Sequence, residues 1–166
     1  FEDIAVDSSG NVYSLFSFSS SSTGAYSVIC SEWGGYSYNS SVKYDISNPP
    51  TSISQIEKGS DGNIYILYLQ ENIGIGKLTL AGTNATYENV FDFSTVELSS
   101  CCTFTVDEEG NFYVIYLGSD LSTYIAKFDS SGNIMLKAKI DSNLSFNDIF
   151  YTNGTLFASA QGSNYS

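Results

Sequence analysis

Residues 1–13 read FEDIAVDSSGNVY, and variants of this text return three times along the 166-residue chain. QIEKGSDGNIY begins at Gln55, FTVDEEGNFY at Phe104 and FNDIFYTNGTLF at Phe146. Gly10, Gly62, Gly110 and Gly154 occupy one place in the four copies, and Tyr13, Tyr65, Tyr113 and Phe157 follow three residues later. Phe1-Glu2-Asp3-Ile4 matches Phe146-Asn147-Asp148-Ile149, which sets the period at about 48 residues.

Inside each copy the pattern is strand, glycine turn, strand. Ile4 and Val6 alternate with polar neighbours before the turn, as do Phe104 and Val106. Val12 to Phe18, Ile64 to Leu69 and Phe112 to Leu117 follow it as apolar, aromatic runs of the kind found in buried strands. Asp7-Ser8-Ser9-Gly10-Asn11 places a side-chain acceptor at the turn entry and glycine where φ must be positive. A second hairpin follows, marked by Gly76-Lys77-Leu78 before Gly82 and by Ala126-Lys127-Phe128 before Gly132. Its closing strands fall at Tyr87 to Phe93 and Ile134 to Ile140. The first copy is more divergent, with Ala25 to Cys30 and Tyr36 to Tyr44 in those places. The expected fold is all-β, a β-propeller-like array of about three and a half four-stranded antiparallel blades in one domain spanning 1–166. The repeats run 1–48, 49–98, 99–144 and a partial 145–166, with no helix longer than about two turns.

IAVDSSGNVY from Ile4, with AKFDSSGNI from Ala126, resembles the I-A-V-D-x-x-G-N-x-Y core of NHL-type and related β-propeller repeats. The likeness covers nearly the whole chain and implies the architecture. That family includes scaffolds, ligand binders and some lyases or hydrolases. The metal and acid–base sites of its enzymes use histidine, which this chain lacks, so only architecture carries over.

Eighteen acidic residues face six lysines, with no arginine or histidine, for a net charge of −12. Nucleic-acid binding rests on Lys and Arg neutralising phosphates, so that partner is not expected, nor is an anionic membrane surface. The lack of histidine removes the commonest general base and metal ligand near neutral pH. The chain opens at Phe1 with no initiator methionine, signal segment or apolar run of spanning length, and reads as a mature or excised piece of something longer. Cys30, Cys101 and Cys102 fit no zinc spacing. Either Cys30 bridges one of the pair, closing a loop worth about 4 kcal/mol, or all three are free thiols. Five N-glycosylation sequons, at Asn39, Asn84, Asn143, Asn153 and Asn164, point with the acidic, Arg-free composition to an extracellular or cell-surface origin. Asn153 is the poorest acceptor if its tight turn directs the side chain inward.

Three further sets of residues invite chemistry. Asp107, Glu108 and Glu109 are the nearest approach to calcium ligands, but turn chemistry accounts for them, and no metal or cofactor is expected. Glu32, Trp33, Tyr36 and Tyr38, around Gly34-Gly35, offer aromatic faces and an acceptor to sugar rings. The plainer reading is packing between blades. Carboxylate pairs for glycoside hydrolysis can be drawn, but nothing selects one, and no catalytic residue is assigned. The expected function is therefore a non-catalytic extracellular structural or assembly module, such as a subunit of a glycoprotein fibre or surface layer. Its partners would be copies of itself or further blades of a parent chain, with glycans as a further contact. The alternative is a fragment of a ligand- or carbohydrate-binding propeller.

Overall fold

The Asp-x-x-Gly-Asn turns organise the chain, and one of them shows how. Asp7 Oδ1 accepts hydrogen bonds from the backbone N–H of Ser9 and of Asn11, each at 2.9 Å, and Oδ2 accepts from Asn11 Nδ2 at 2.8 Å. Gly10, at φ 83°, then takes the left-handed conformation that reverses the chain. The same bonds recur around Asp107 and Asp129.

The computed structural model describes residues 2–18, 25–34, 37–94, 96–140 and 144–162. Among them are fourteen strands and no helix. The strands follow as antiparallel meanders. The first holds β1 (Asp3–Val6), β2 (Val12–Phe18), β3 (Ala25–Gly34) and β4 (Ser37–Ile46). The second holds β5 (Ser52–Lys58), β6 (Ile64–Leu69), β7 (Ile73–Ala81) and β8 (Asn84–Asp92). The third holds β9 (Leu98–Val106), β10 (Phe112–Gly118), β11 (Thr123–Phe128) and β12 (Ile134–Lys139), and the last β13 (Leu144–Thr152) and β14 (Thr155–Gly162).

Contacts divide the chain into two compact units, Phe1–Lys58 with Gly62–Asn89, and Gly59–Asp61 with Val90–Ser166. In the first, Leu15, Val28, Ile53, Ile56 and Ile66 form a core closed to water. Burying side chains of this size stabilises by about 2 kcal/mol each. β1 to β8 make one sheet in the order β1-β2-β3-β4-β8-β7-β6-β5. Its two ends lie side by side, with the Ile56 N–H donating to Asp3 Oδ2 at 2.9 Å, so the sheet is nearly closed, like a barrel. This differs from the expected separate four-stranded blades. The join is a short parallel pairing of Asp45 and Ile46 with Asn84 and Ala85, fastened by bonds from Asp45 N to Thr83 O and from Ser47 N to Ala85 O. β8 accordingly starts at Asn84, three residues before the strand start expected at Tyr87.

In the second unit the core is aromatic. Phe91, Phe93, Phe112 and Phe128 meet edge-on or stacked at 5.3–5.6 Å, around a β10 buried on both faces. The β13–β14 hairpin turns on Asn153 (φ 49°) and Gly154 (φ 75°), the two positive-φ residues of a two-residue hairpin loop. β13 lies along β9, where Thr103 Oγ1 donates to Asp148 Oδ1 and the Tyr151 N–H donates to Thr105 Oγ1, each at 3.2 Å.

Candidate functional site

The most heavily bonded polar cluster surrounds Asp107, which is buried. Its carboxylate takes the Asn111 amide, the Glu109 and Asn111 N–H groups and, at 3.0 Å, the Lys127 ammonium. Burial pushes its pKa up, but the hydrogen bonds from Asn111 and the Lys127 charge outweigh this and hold it below the usual aspartate value. The Lys127 ammonium, 5.0 Å from the Tyr113 ring centroid, is raised above the ordinary lysine range by the Tyr113 hydroxyl and by Asp107. A carboxylate held ionised and capped by a cation is a poor proton acceptor. Both its oxygens are committed to the turn and to Lys127, while Glu108 and Glu109 beside it are exposed. Among the described residues no three carboxylate or thiol groups gather where a metal ion could be held.

The strand register relates this cluster to the other meanders. Tyr113 faces Lys127, Tyr65 faces Lys77, and Tyr13 faces Cys30. The first meander thus puts a thiol where its successors put an ammonium, and Lys58 of β5 stands 5.7 Å from the Tyr13 ring centroid instead. Burial pushes the Cys30 thiol up in pKa. Neither Cys30 nor Cys101 is in a disulfide bond.

Of the residues singled out for ligand contact, Glu32 is exposed on β3 and accepts from Ser40 Oγ at 3.3 Å. Trp33 and Tyr38 face each other in the β3–β4 register. Tyr36, Asn143 and Asn164 lie outside the described residues, as do the side chains of Trp33, Tyr38, Asn39 and Cys102. Asn84 is exposed at the start of β8. Asn153 is exposed too, because its turn projects the side chain outward, contrary to the inward orientation considered from the sequence.

Two further features stand out. The first is a groove of about 480 Å³ in the first unit, lined by Asn48, Tyr68, Gln70, Thr86, Tyr87 and Asn89 among others. Tyr68 and Tyr87 meet at 5.4 Å over the glycines of β7. A Cβ on Gly74 would stand 2.7 Å from the Tyr68 hydroxyl, and one on Gly76 3.0 Å from the Tyr87 ring. Glycine inside a strand signals such close approach, and Ile73-Gly74-Ile75-Gly76 was the available signal. Tyr68 donates to Asn89 Oδ1 at 2.9 Å and Tyr87 to Gln70 Oε1 at 3.1 Å.

The second feature is apolar surface in the second unit. Phe150 and Phe157, opposite each other in the β13–β14 register, stack at 5.0 Å and 9° while remaining 51% and 46% exposed. Ile134, Met135 and Leu136 on β12 are exposed as well. The edges differ in charge. β12 carries Lys137 and Lys139, whereas β14 (TLFASAQG) has neither charge nor proline. No helix among the described residues is long and apolar enough to cross a membrane. No protein-family model and no curated protein matches the chain.

Proposed function

We propose that the chain is a non-catalytic structural or assembly module of an extracellular or cell-surface glycoprotein, and that it associates through the β13–β14 hairpin. The observation behind this reading is the exposed Phe150–Phe157 stack beside an uncharged strand edge. Strand edges that must stay unpaired are ordinarily blunted by lysine or proline, as β12 is by Lys137 and Lys139. β14 has no such protection. Strand addition there satisfies backbone groups while a facing surface covers the phenylalanines.

In this reading the four meanders are successive blades of a propeller-like array, of the kind that the resemblance to NHL-type repeats implies. The side-by-side placement of first strands, β1 with β5 and β9 with β13, supports it. The β-structure that completes the two-stranded blade comes from other copies of the chain or from further blades of a parent polypeptide. Hydrogen exchange tests the edge directly. Amides of β14 should gain protection as protein concentration rises, while those of buried β10 stay unchanged. Protection of β14 that is independent of concentration would count against association through this edge.

A further inference from the structure

We infer that the groove between Tyr68 and Tyr87 is a binding site for a neutral saccharide. The inference stands on the first unit alone and does not depend on the assembly reading. Its volume, about 480 Å³, lies within the range of small-ligand sites. Its lining combines two features that a sugar needs together. One is an aromatic surface, the half-buried Tyr87 ring, seated on Gly76 and backed by the buried Tyr68 ring on Gly74, and thereby fixed in place. A pyranose presents C–H faces that pack on such rings. The other is a set of neutral donors and acceptors around them.

Gln70 and Asn89 are each shown giving a carbonyl oxygen to a tyrosine hydroxyl. That arrangement orients both carboxamides and leaves their NH₂ groups to donate elsewhere. Asn48 and the Thr86 hydroxyl, both exposed on the rim, add further partners. Asn48 is held at φ 48°, a conformation that a polar side chain tolerates best. Sugar hydroxyls donate and accept at once, and a rim of amides and hydroxyls matches them.

Charge narrows the class. The lining contains no lysine and no carboxylate, and the chain as a whole carries −12. An anionic sugar would find no countercharge here and would be repelled at longer range. A purely apolar ligand would leave the amides without partners. A neutral hexose or N-acetylhexosamine oligosaccharide satisfies both constraints.

The test is an NMR titration of the isotope-labelled chain with maltotriose, cellotriose and triacetylchitotriose, and with 3′-sialyllactose as the anionic comparison. At least one neutral trisaccharide should give saturable shifts in amides of residues 47–48, 68–70 and 86–89, with Kd of about 1 mM. Sialyllactose should bind more weakly. Tyr87→Ala should abolish the shifts. Gln70→Ala, at an exposed position, should weaken binding about tenfold with the rest of the spectrum unchanged. The inference is overturned if no neutral trisaccharide gives saturable shifts at about 10 mM. It is equally overturned if the shifts map elsewhere, if Gln70→Ala leaves them intact, or if sialyllactose binds as well.

Discussion

Lys127 places its ammonium 3.0 Å from the buried carboxylate of Asp107. The pair joins the turn between β9 and β10 to the third strand of the same meander. The Asp107 pKa is lowered in the folded state from 3.8, because the Asn111 and Lys127 interactions outweigh burial. Its stabilising contribution is therefore complete above the unfolded value and is lost as pH falls through the lower, folded value. Asp107→Asn should cost about 1–3 kcal/mol at neutral pH, since it removes the buried carboxylate that accepts from the turn and from the partly exposed Lys127 ammonium. Urea unfolding followed from about pH 6 to about pH 2 should show the wild-type advantage shrinking toward acid. An advantage that stays constant across that window would contradict the assignment.

Gly10 and Gly132 occupy the same turn position at φ 83° and 81°, but their surroundings differ. A Cβ on Gly10 meets nothing within 4 Å, whereas one on Gly132 would stand 2.7 Å from Phe91 Cβ. Gly10→Ala should then cost only the left-handed strain, about 1–2 kcal/mol. Gly132→Ala should cost a further 1–3 kcal/mol, roughly, because the aromatic core must shift. Thermal denaturation of the two variants measures the difference directly. Equal costs would mean that the Phe91 contact carries no weight.

The turns were legible because their chemistry is local. Asp7, Gly10 and Asn11 are neighbours in sequence, and so are their counterparts at Asp107 and Asp129. The glycines expected to reverse the chain all adopt positive φ. The parallel join was not legible, since it rests on backbone groups of Asp45, Ile46, Asn84 and Ala85, and two residue pairs leave no periodic pattern. The groove was hidden for a different reason. Tyr68, Gln70, Tyr87 and Asn89 come from separate segments, and each tyrosine reads alone as an ordinary strand residue. Glu32, Trp33, Tyr36 and Tyr38, by contrast, stand close together in one short stretch of sequence.

The proposed extracellular location has its own consequence. Asn84 and Asn153 are exposed acceptors in N-x-Thr sequons. Expressed through a glycosylating secretory pathway, the chain should carry glycan on at least two of its five sequons, Asn84 among them. Intact-mass measurement before and after glycan removal reads the occupancy, and Asn84→Gln should remove one glycan's mass. An unmodified secreted chain would contradict the proposal.

Association through the Phe150–Phe157 face is the central claim, and sedimentation velocity of the 166-residue chain tests it most directly. Phe157 is 46% exposed, so Phe157→Lys places a charge on the face at little cost to folding. The wild-type chain should sediment as larger species as concentration rises through about 1–100 μM, and Phe157→Lys should stay monomeric with unchanged circular dichroism. A wild-type chain that remains a folded monomer across that range would contradict the account.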